Sequence, residues 1–231
     1  MAMFSVSVII PAYNEEAIIQ SAVKSALDIL AASDADFEII VVNDGSRDKT
    51  GQILDTAFAH AQEIQIYHKP INEGFGSAIR TGVKRAKKDY IFCVPADSPL
   101  TMDLYTAFSS HATRADILVS YRRVKLGYSF RRHLNSYVYH KLVSVLFSMN
   151  LKDYNWIHMY HRKIFEEGKI EIEYNGIFML AEILIKANRA GFSFYEFEVE
   201  QKERLTGIAT ASKFTAILKT LGEIISFRYR T

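Results

Sequence analysis

The chain has 231 residues, 49% apolar and 23% charged, with 28 basic against 26 acidic side chains and a formal net charge of +2. This is enough for one sizeable core; it excludes a disordered chain and gives no general argument for nucleic acid. One cysteine, Cys93, excludes a disulfide framework, no run reaches the roughly 18 uncharged apolar residues that span a bilayer, and residues 1–7 lack a secretory signal, so the expected location is the cytoplasm.

The first half alternates. Strand-like runs at 5–10, 37–42, 64–68 and 90–94 are separated by helical patterns at 16–30, 49–61 and 76–87. Helices of this length between buried apolar strands predict βαβ units and a mostly parallel sheet with helices on both faces. Asp48 is placed to cap the second helix. Cys93 falls inside the fourth strand, where a thiol is buried and inert. A further helix is expected near 102–108. The second half is less regular, with helices expected at 133–149, 178–190 and 213–227 and strands at 117–120, 157–160 and 194–198. We read one α/β domain over 1–231: a nucleotide-binding half at 1–100, an acceptor half at 101–210 and a terminal amphipathic helix at 211–231.

Two strand ends carry the chemistry. The first strand runs into Pro11-Ala12-Tyr13-Asn14-Glu15-Glu16 and the second into Asn43-Asp44-Gly45-Ser46. In a parallel sheet ligands sit at the carboxyl ends of the strands, so both acidic clusters face one crevice suited to a nucleotide. Asp44 can accept hydrogen bonds from a base or ribose, and Glu15 from a ribose hydroxyl. The plainer reading is a good turn leading into a capped helix.

The stretch Asn72-Glu73-Gly74-Phe75-Gly76-Ser77-Ala78 brings glycines to a helix start. They serve either a phosphate or close packing on the sheet; the spacing is not Gly-x-Gly-x-x-Gly and no Walker lysine follows. Val94-Pro95-Ala96-Asp97 ends the fourth strand. A carboxylate there is placed to hold Mg²⁺ or Mn²⁺ on a diphosphate, which needs only one or two protein acids. The alternative is a helix-capping aspartate.

Taken in order, these motifs resemble the family 2 glycosyltransferases, and within them the dolichyl- or polyprenyl-phosphate mannosyl- and glucosyltransferase branch. Looser matches follow at Ser120-Tyr121-Arg122-Arg123, Arg131-Arg132, Asp153, Ala181-Glu182 and Arg204-x-x-Gly207. The resemblance implies a GT-A fold, a nucleotide-diphosphate sugar donor such as GDP-mannose or a UDP-hexose, a divalent metal, and inversion at the anomeric carbon. It implies donor contacts from Pro11, Ala12, Tyr13, Glu15, Asp44, Gly74 and Ala96, with Asp97 as the metal ligand. Two departures stand out. The family's Asp-x-Asp is here Pro95-Ala96-Asp97, and the small residue and Gly-Phe that follow Asp153 in the family are replaced around Trp156-Ile157-His158-Met159.

Between 117 and 152 there is no acidic residue, while Arg122, Arg123, Lys125, Arg131, Arg132, Lys141 and Lys152 supply seven positive charges. Leu134, Tyr137, Val138, Lys141, Leu142, Val145 and Leu146 follow helical spacing just beyond. A cationic segment feeding an amphipathic helix suits an anionic ligand at the inner face of a membrane; packing on the core is the alternative. A phosphate acceptor is already an anionic nucleophile and needs cations rather than a base. Arg123, Arg131 and Arg204 are the candidates. A sugar hydroxyl would need a base, for which Asp153 is available. The expected function is transfer of a hexose to a polyprenyl phosphate, with a cell-surface glycan as the alternative acceptor. A donor-binding relative without catalysis, motivated by Pro95, is a third reading.

Overall fold

The computed structural model describes residues 4–122, 130–200 and 214–230, and of 131, 132 and 214–218 the backbone alone. The first half contains β1 (Ser5–Ala12), α1 (Ile19–Ala31), β2 (Asp36–Asn43), α2 (Thr50–Ala57), β3 (Ile64–His68), α3 (Phe75–Val83) and β4 (Tyr90–Cys93). The second half adds α4 (Met102–His111), β5 (Ile117–Arg122), α5 (Phe130–Phe147), β6 (His158–His161), α6 (Phe178–Arg189), β7 (Phe194–Val199) and α7 (Phe214–Arg230). Each expected strand and helix is present, with ends shifted by a few residues.

The shifts have local causes. α1 begins at Ile19 rather than 16 because Asn14 sits in the left-handed region, with φ at 56°, and the amides of residues 14–16 bond to another loop. α3 stops at Val83 because the backbone turns back to the sheet, where the Lys87 amide donates to Glu38 Oε1 at 2.7 Å.

The sheet order is β3-β2-β1-β4-β6-β5-β7. β1 is parallel to both β2 and β4, and β2 to β3. β6 runs antiparallel to β4 and β5, and β7 is parallel to β5. The sheet is therefore mostly parallel, with one reversed strand.

Period-2 alternation along β1 and β2 feeds two cores. Val6, Val8, Ile10, Ile39 and Val41 pack with α1, α2 and α4 on one face. Ile9, Ile40 and Val42 pack with α3, α5, α6 and α7 on the other. Gly82 of α3 is required by this second core, since a Cβ there would lie 2.5 Å from Ile9 Cγ2. Cys93 is buried in that core, where loss of water pushes its thiol up to about 12. It is an inert packing residue.

Candidate active site

Strand direction assembles the site. β2, β1 and β4 are parallel neighbours, so Asp44, residues 13–16 and Asp97 all leave the sheet from one edge. Because β6 is reversed, its approach through Asp153 and Trp156 reaches that same edge, beside the end of β5 at Arg122.

The first two strand ends are laced together. Asn14 N donates to Ser46 Oγ at 3.0 Å, Glu15 N to Thr50 Oγ1 at 2.8 Å and Glu16 N to Asp48 Oδ2 at 3.1 Å. In return Arg47 N donates to Asn14 Oδ1 at 2.8 Å and Lys49 N to Glu16 Oε2 at 3.0 Å. Asp48 also accepts the Thr50 amide at 2.9 Å, and these bonds hold its carboxyl below the usual range despite the cost of burial. The N-cap of α2 is Lys49, without a side-chain cap bond, rather than Asp48 as expected; from one residue earlier Asp48 serves the first helical residue and the neighbouring loop together. Tyr13 is exposed, Pro11 and Ala12 are buried, and Glu15 is half-buried.

Asp44 is buried and fully engaged. Oδ1 accepts from Lys69 Nζ at 2.8 Å and Glu73 N at 3.2 Å, and Oδ2 from Gly74 N at 2.8 Å. Its carboxylate therefore ties the second strand end to the loop before α3. Lys69 had no sequence signal; it is a lone lysine after β3 whose role appears only when β2 and β3 pair. Lys69 and Ser77 also hold the Glu73 carboxyl below its ordinary range.

The glycines of this loop face protein. Gly74 has φ of 100°, and a Cβ there would lie 2.8 Å from the Asn175 carbonyl oxygen. At Gly76 a Cβ would come within 2.1 Å of the Tyr174 oxygen, and the Gly76 amide donates to Asn175 O at 2.9 Å. The glycines are explained by close packing, but against the Tyr174–Asn175 loop rather than against the sheet as expected. Arg80 extends the clamp, donating to Ile172 O at 2.7 Å and Asn175 Oδ1 at 2.8 Å. From the other side buried Glu182 accepts the amides of Glu173 and Tyr174. This gives Glu182 a physical role as the anchor of that loop.

Asp97 lies half-buried past β4, after buried Ala96. Helix α4 is capped by Thr101, whose hydroxyl accepts from Leu104 N at 3.3 Å. The capping duty that competed for Asp97 thus belongs to another residue. Among the described residues no group of three or more His, Cys, Asp or Glu side chains could hold a metal ion. Asp97 fits the other kind of site, in which a hard divalent ion takes one carboxylate and fills its shell with phosphate oxygens and water.

Asp153 is buried, and its Oδ2 accepts from Arg122 Nη2 at 2.8 Å and Nε at 3.1 Å. Oδ1 accepts from Asn155 N at 3.0 Å, with His140 Nε2 of α5 at 3.5 Å. The Arg122 guanidinium carbon lies 4.0 Å from the centre of the Trp156 ring. Nearby His158 is buried, its Nε2 only within 3.5 Å of Tyr154 O and its Nδ1 unpartnered among the described residues. Burial drives its imidazole down to about 4, against the pull of Asp153. Sequence reading named Arg122 only within a motif and missed His140 and the Trp156 stack, because all three partnerships are long-range. Arg123 and Arg204 lie outside the described residues, and Arg131 is in the first turn of α5, with only its backbone described.

Comparison with known proteins decides the family, since the model of "Glycosyl transferase family 2" matches residues 7–171. The chain belongs to glycosyl transferase family 2. It is 30% identical to Glycosyltransferase AglD of Haloferax volcanii over 84% of this chain and 32% of that protein. It is 31% identical to a dolichyl-phosphate beta-glucosyltransferase of Trichomonas vaginalis over 42% of this chain and 32% of that one. The chain therefore spans about a third of these relatives' lengths. In fold it is similar to glucosyl-3-phosphoglycerate synthase from Mycobacterium tuberculosis, solved with Mn²⁺, UDP and glucosyl-3-phosphoglycerate. The TM-score is 0.72 at 16% identity, over 97% of this chain and 80% of that one. A mannosyl-3-phosphoglycerate synthase from Rubrobacter xylanophilus matches at 0.69 and 13% identity, over 99% and 76%. The family 2 chain has the expected GT-A fold.

Proposed function

We propose that this glycosyltransferase moves a hexose, with inversion, from a nucleotide-diphosphate sugar to a polyprenyl phosphate at a membrane face. The observation that carries the reading is the convergence of the β2, β1 and β4 ends, with Asp44, Glu15 and Asp97, on one sheet edge. Glu15, Tyr13, Pro11, Ala12 and Ala96 line the donor nucleotide and sugar. Asp44 and Gly74 contribute through the loop that Asp44 fastens. Asp97 would hold a divalent ion, Mg²⁺ or Mn²⁺, which would supply positive charge against the diphosphate leaving group.

The acceptor phosphate oxygen attacks the anomeric carbon as the bond to the diphosphate breaks, releasing the nucleoside diphosphate. A phosphate already carries the negative charge of a nucleophile, so the protein needs to supply cations and orientation. Arg123, Arg131 and Arg204 are assigned this task. The burial of Asp153 and its bonds to Arg122 and Asn155 count against its use as a base on a glycan hydroxyl. They support a role in which it positions Arg122 at the site's edge.

The test is radiolabelled transfer from GDP-mannose and a panel of UDP-hexoses into organic-extractable lipid, with Mg²⁺ or Mn²⁺ and with EDTA. Metal-dependent label in the organic phase is the expected result. Label found only in water-soluble saccharides would reject the lipid acceptor. Donor binding that ignores EDTA, with no turnover on any acceptor, would reject catalysis.

A further inference from the structure

We propose that the outer face of α5 seats the protein on an anionic membrane surface. This deepens the polyprenyl-phosphate reading, and rests on it only for the choice of lipid as the occupant.

A surface helix ordinarily buries one apolar stripe and turns polar residues outward. Helix α5 is apolar on both sides. Val143 and Phe147 are buried in the second core, with Tyr139, Leu142 and Leu146 packed against it. On the opposite face Phe130 is 85% and Val145 75% exposed, and Leu134, Tyr137 and Val138 are each more than half exposed. These five fall at i, i+4, i+7, i+8 and i+15, one continuous side of a helix about 27 Å long by its 18 residues. A contiguous apolar patch of this size on a water-soluble surface marks a place where something docks.

Charge selects the occupant. No acidic residue lies anywhere from 117 to 152, and Lys141 is exposed on the same face, between Val138 and Val145. A lysine there can lay its methylenes along the apolar stripe and reach up to phosphate headgroups. A protein partner of ordinary composition would not require so long an acid-free stretch, whereas an anionic leaflet repels carboxylates and attracts each base near it. Aromatic residues at 130 and 137 suit the headgroup level. Among the described residues no helix is long and apolar enough to cross a membrane, so the contact is interfacial, with the helix lying in the plane.

The experiment is pelleting of the full chain with sucrose-loaded vesicles of phosphatidylcholine, with and without phosphatidylglycerol, and with no donor or acceptor present. Binding to the anionic vesicles, weaker to the neutral ones and weakened by salt, is expected. The triple variant Leu134→Gln, Val138→Gln, Val145→Gln should lose about tenfold or more in partitioning, because each buries apolar surface in the interface. Its melting temperature should match the parent's, since all three side chains already face outward. Lys141→Glu should weaken binding severalfold to anionic vesicles only. Equal pelleting of parent and triple variant would overturn the proposal, as would no binding by either. A parent that sediments as a dimer, dissociated by the triple variant, would overturn it in favour of a second copy on this face. Transfer to detergent-dispersed acceptor scores the catalytic reading separately. The triple variant keeps that activity if the helix only seats the protein, and a complete absence of transfer would sink the activity while leaving the vesicle result standing.

Discussion

Two carboxylates are buried at the same edge of the sheet, and they are held by different means. Asp44 is received mainly by one later loop, through the amides of Glu73 and Gly74 with the ammonium of Lys69 beside them. Asp153 is received by Arg122, thirty-one residues earlier on another strand, and by one adjacent amide. Backbone amides are fixed dipoles that stay put when a side chain changes. A guanidinium is a full charge that, once unpaired, remains buried at high cost. The β1–β4 edge is thus laced by many small bonds, and the β5–β6 edge centres on a buried charged pair.

The largest expected effect follows from that pair. Arg122→Met strands Asp153 in the interior and should cost about 3–5 kcal/mol of stability by denaturant unfolding, whereas removing both charges in Arg122→Met/Asp153→Leu should recover most of it. Equal losses in the single and double variants would break the comparison, because the stranded Asp153 charge would then not be the source of the cost.

Next in size is a split between two acids of the β1–β4 edge. Asp97→Asn should lower kcat by about 10²–10³-fold, its main effect falling on activity, since the side-chain cap of α4 is Thr101. Asp44→Asn should do the reverse, costing about 1–3 kcal/mol in stability, because an amide cannot accept on both of the atoms that Asp44 uses. Loss of activity without loss of stability in Asp44→Asn would make it a direct donor contact rather than a loop anchor.

Legibility in the sequence divides along the same line. The first half could be read because strand, turn and helix follow one another locally, and the turn residues at Asn43–Ser46 announce themselves by chemistry. The acids past β2, β1 and β4 could be brought together by the parallel-sheet rule alone. What was not legible was the partner of each acid. Lys69 reaches Asp44 only after β2 and β3 pair, and Arg122 meets Asp153 only because β6 is reversed, which no local pattern encodes. The glycines at 74 and 76 fitted either a ligand or a protein wall. Their answer, the backbone of Tyr174 and Asn175, comes from a loop a hundred residues away. The outer stripe of α5 was visible as helical spacing, but spacing does not say which of two apolar faces turns inward.

The β5–β6 edge also differs in its response to acid. His158 titrates at about 4 in the fold, driven down by burial, against 6.5 for an ordinary imidazole. Above pH 6.5 it is neutral in both states and contributes no slope. Below that the unfolded chain takes up a proton the native state refuses, so stability falls as pH falls, until about 4. The full loss is about 3 kcal/mol. His158→Gln should flatten ΔG between pH 6.5 and 4. An unchanged slope would locate the acid sensitivity elsewhere.

The smallest expected effect tests whether the β1–β4 edge acts as one laced unit. Ser46→Ala deletes the acceptor of the Asn14 amide, one of the side-chain-to-backbone bonds joining the first two strand ends. At an exposed position water replaces it, so the cost should be about 0.5–1 kcal/mol. If the two loops act as one body, the loss spreads to the position of Tyr13 and Glu15. The donor KM then rises severalfold while kcat holds, because only ground-state and transition-state binding shared alike is lost. If the loops are independent, stability shifts by the same amount and the KM does not move. A network of weak bonds differs from a single strong one in this respect: removing one member is cheap in energy and is felt instead as lost precision at the residues it held in place.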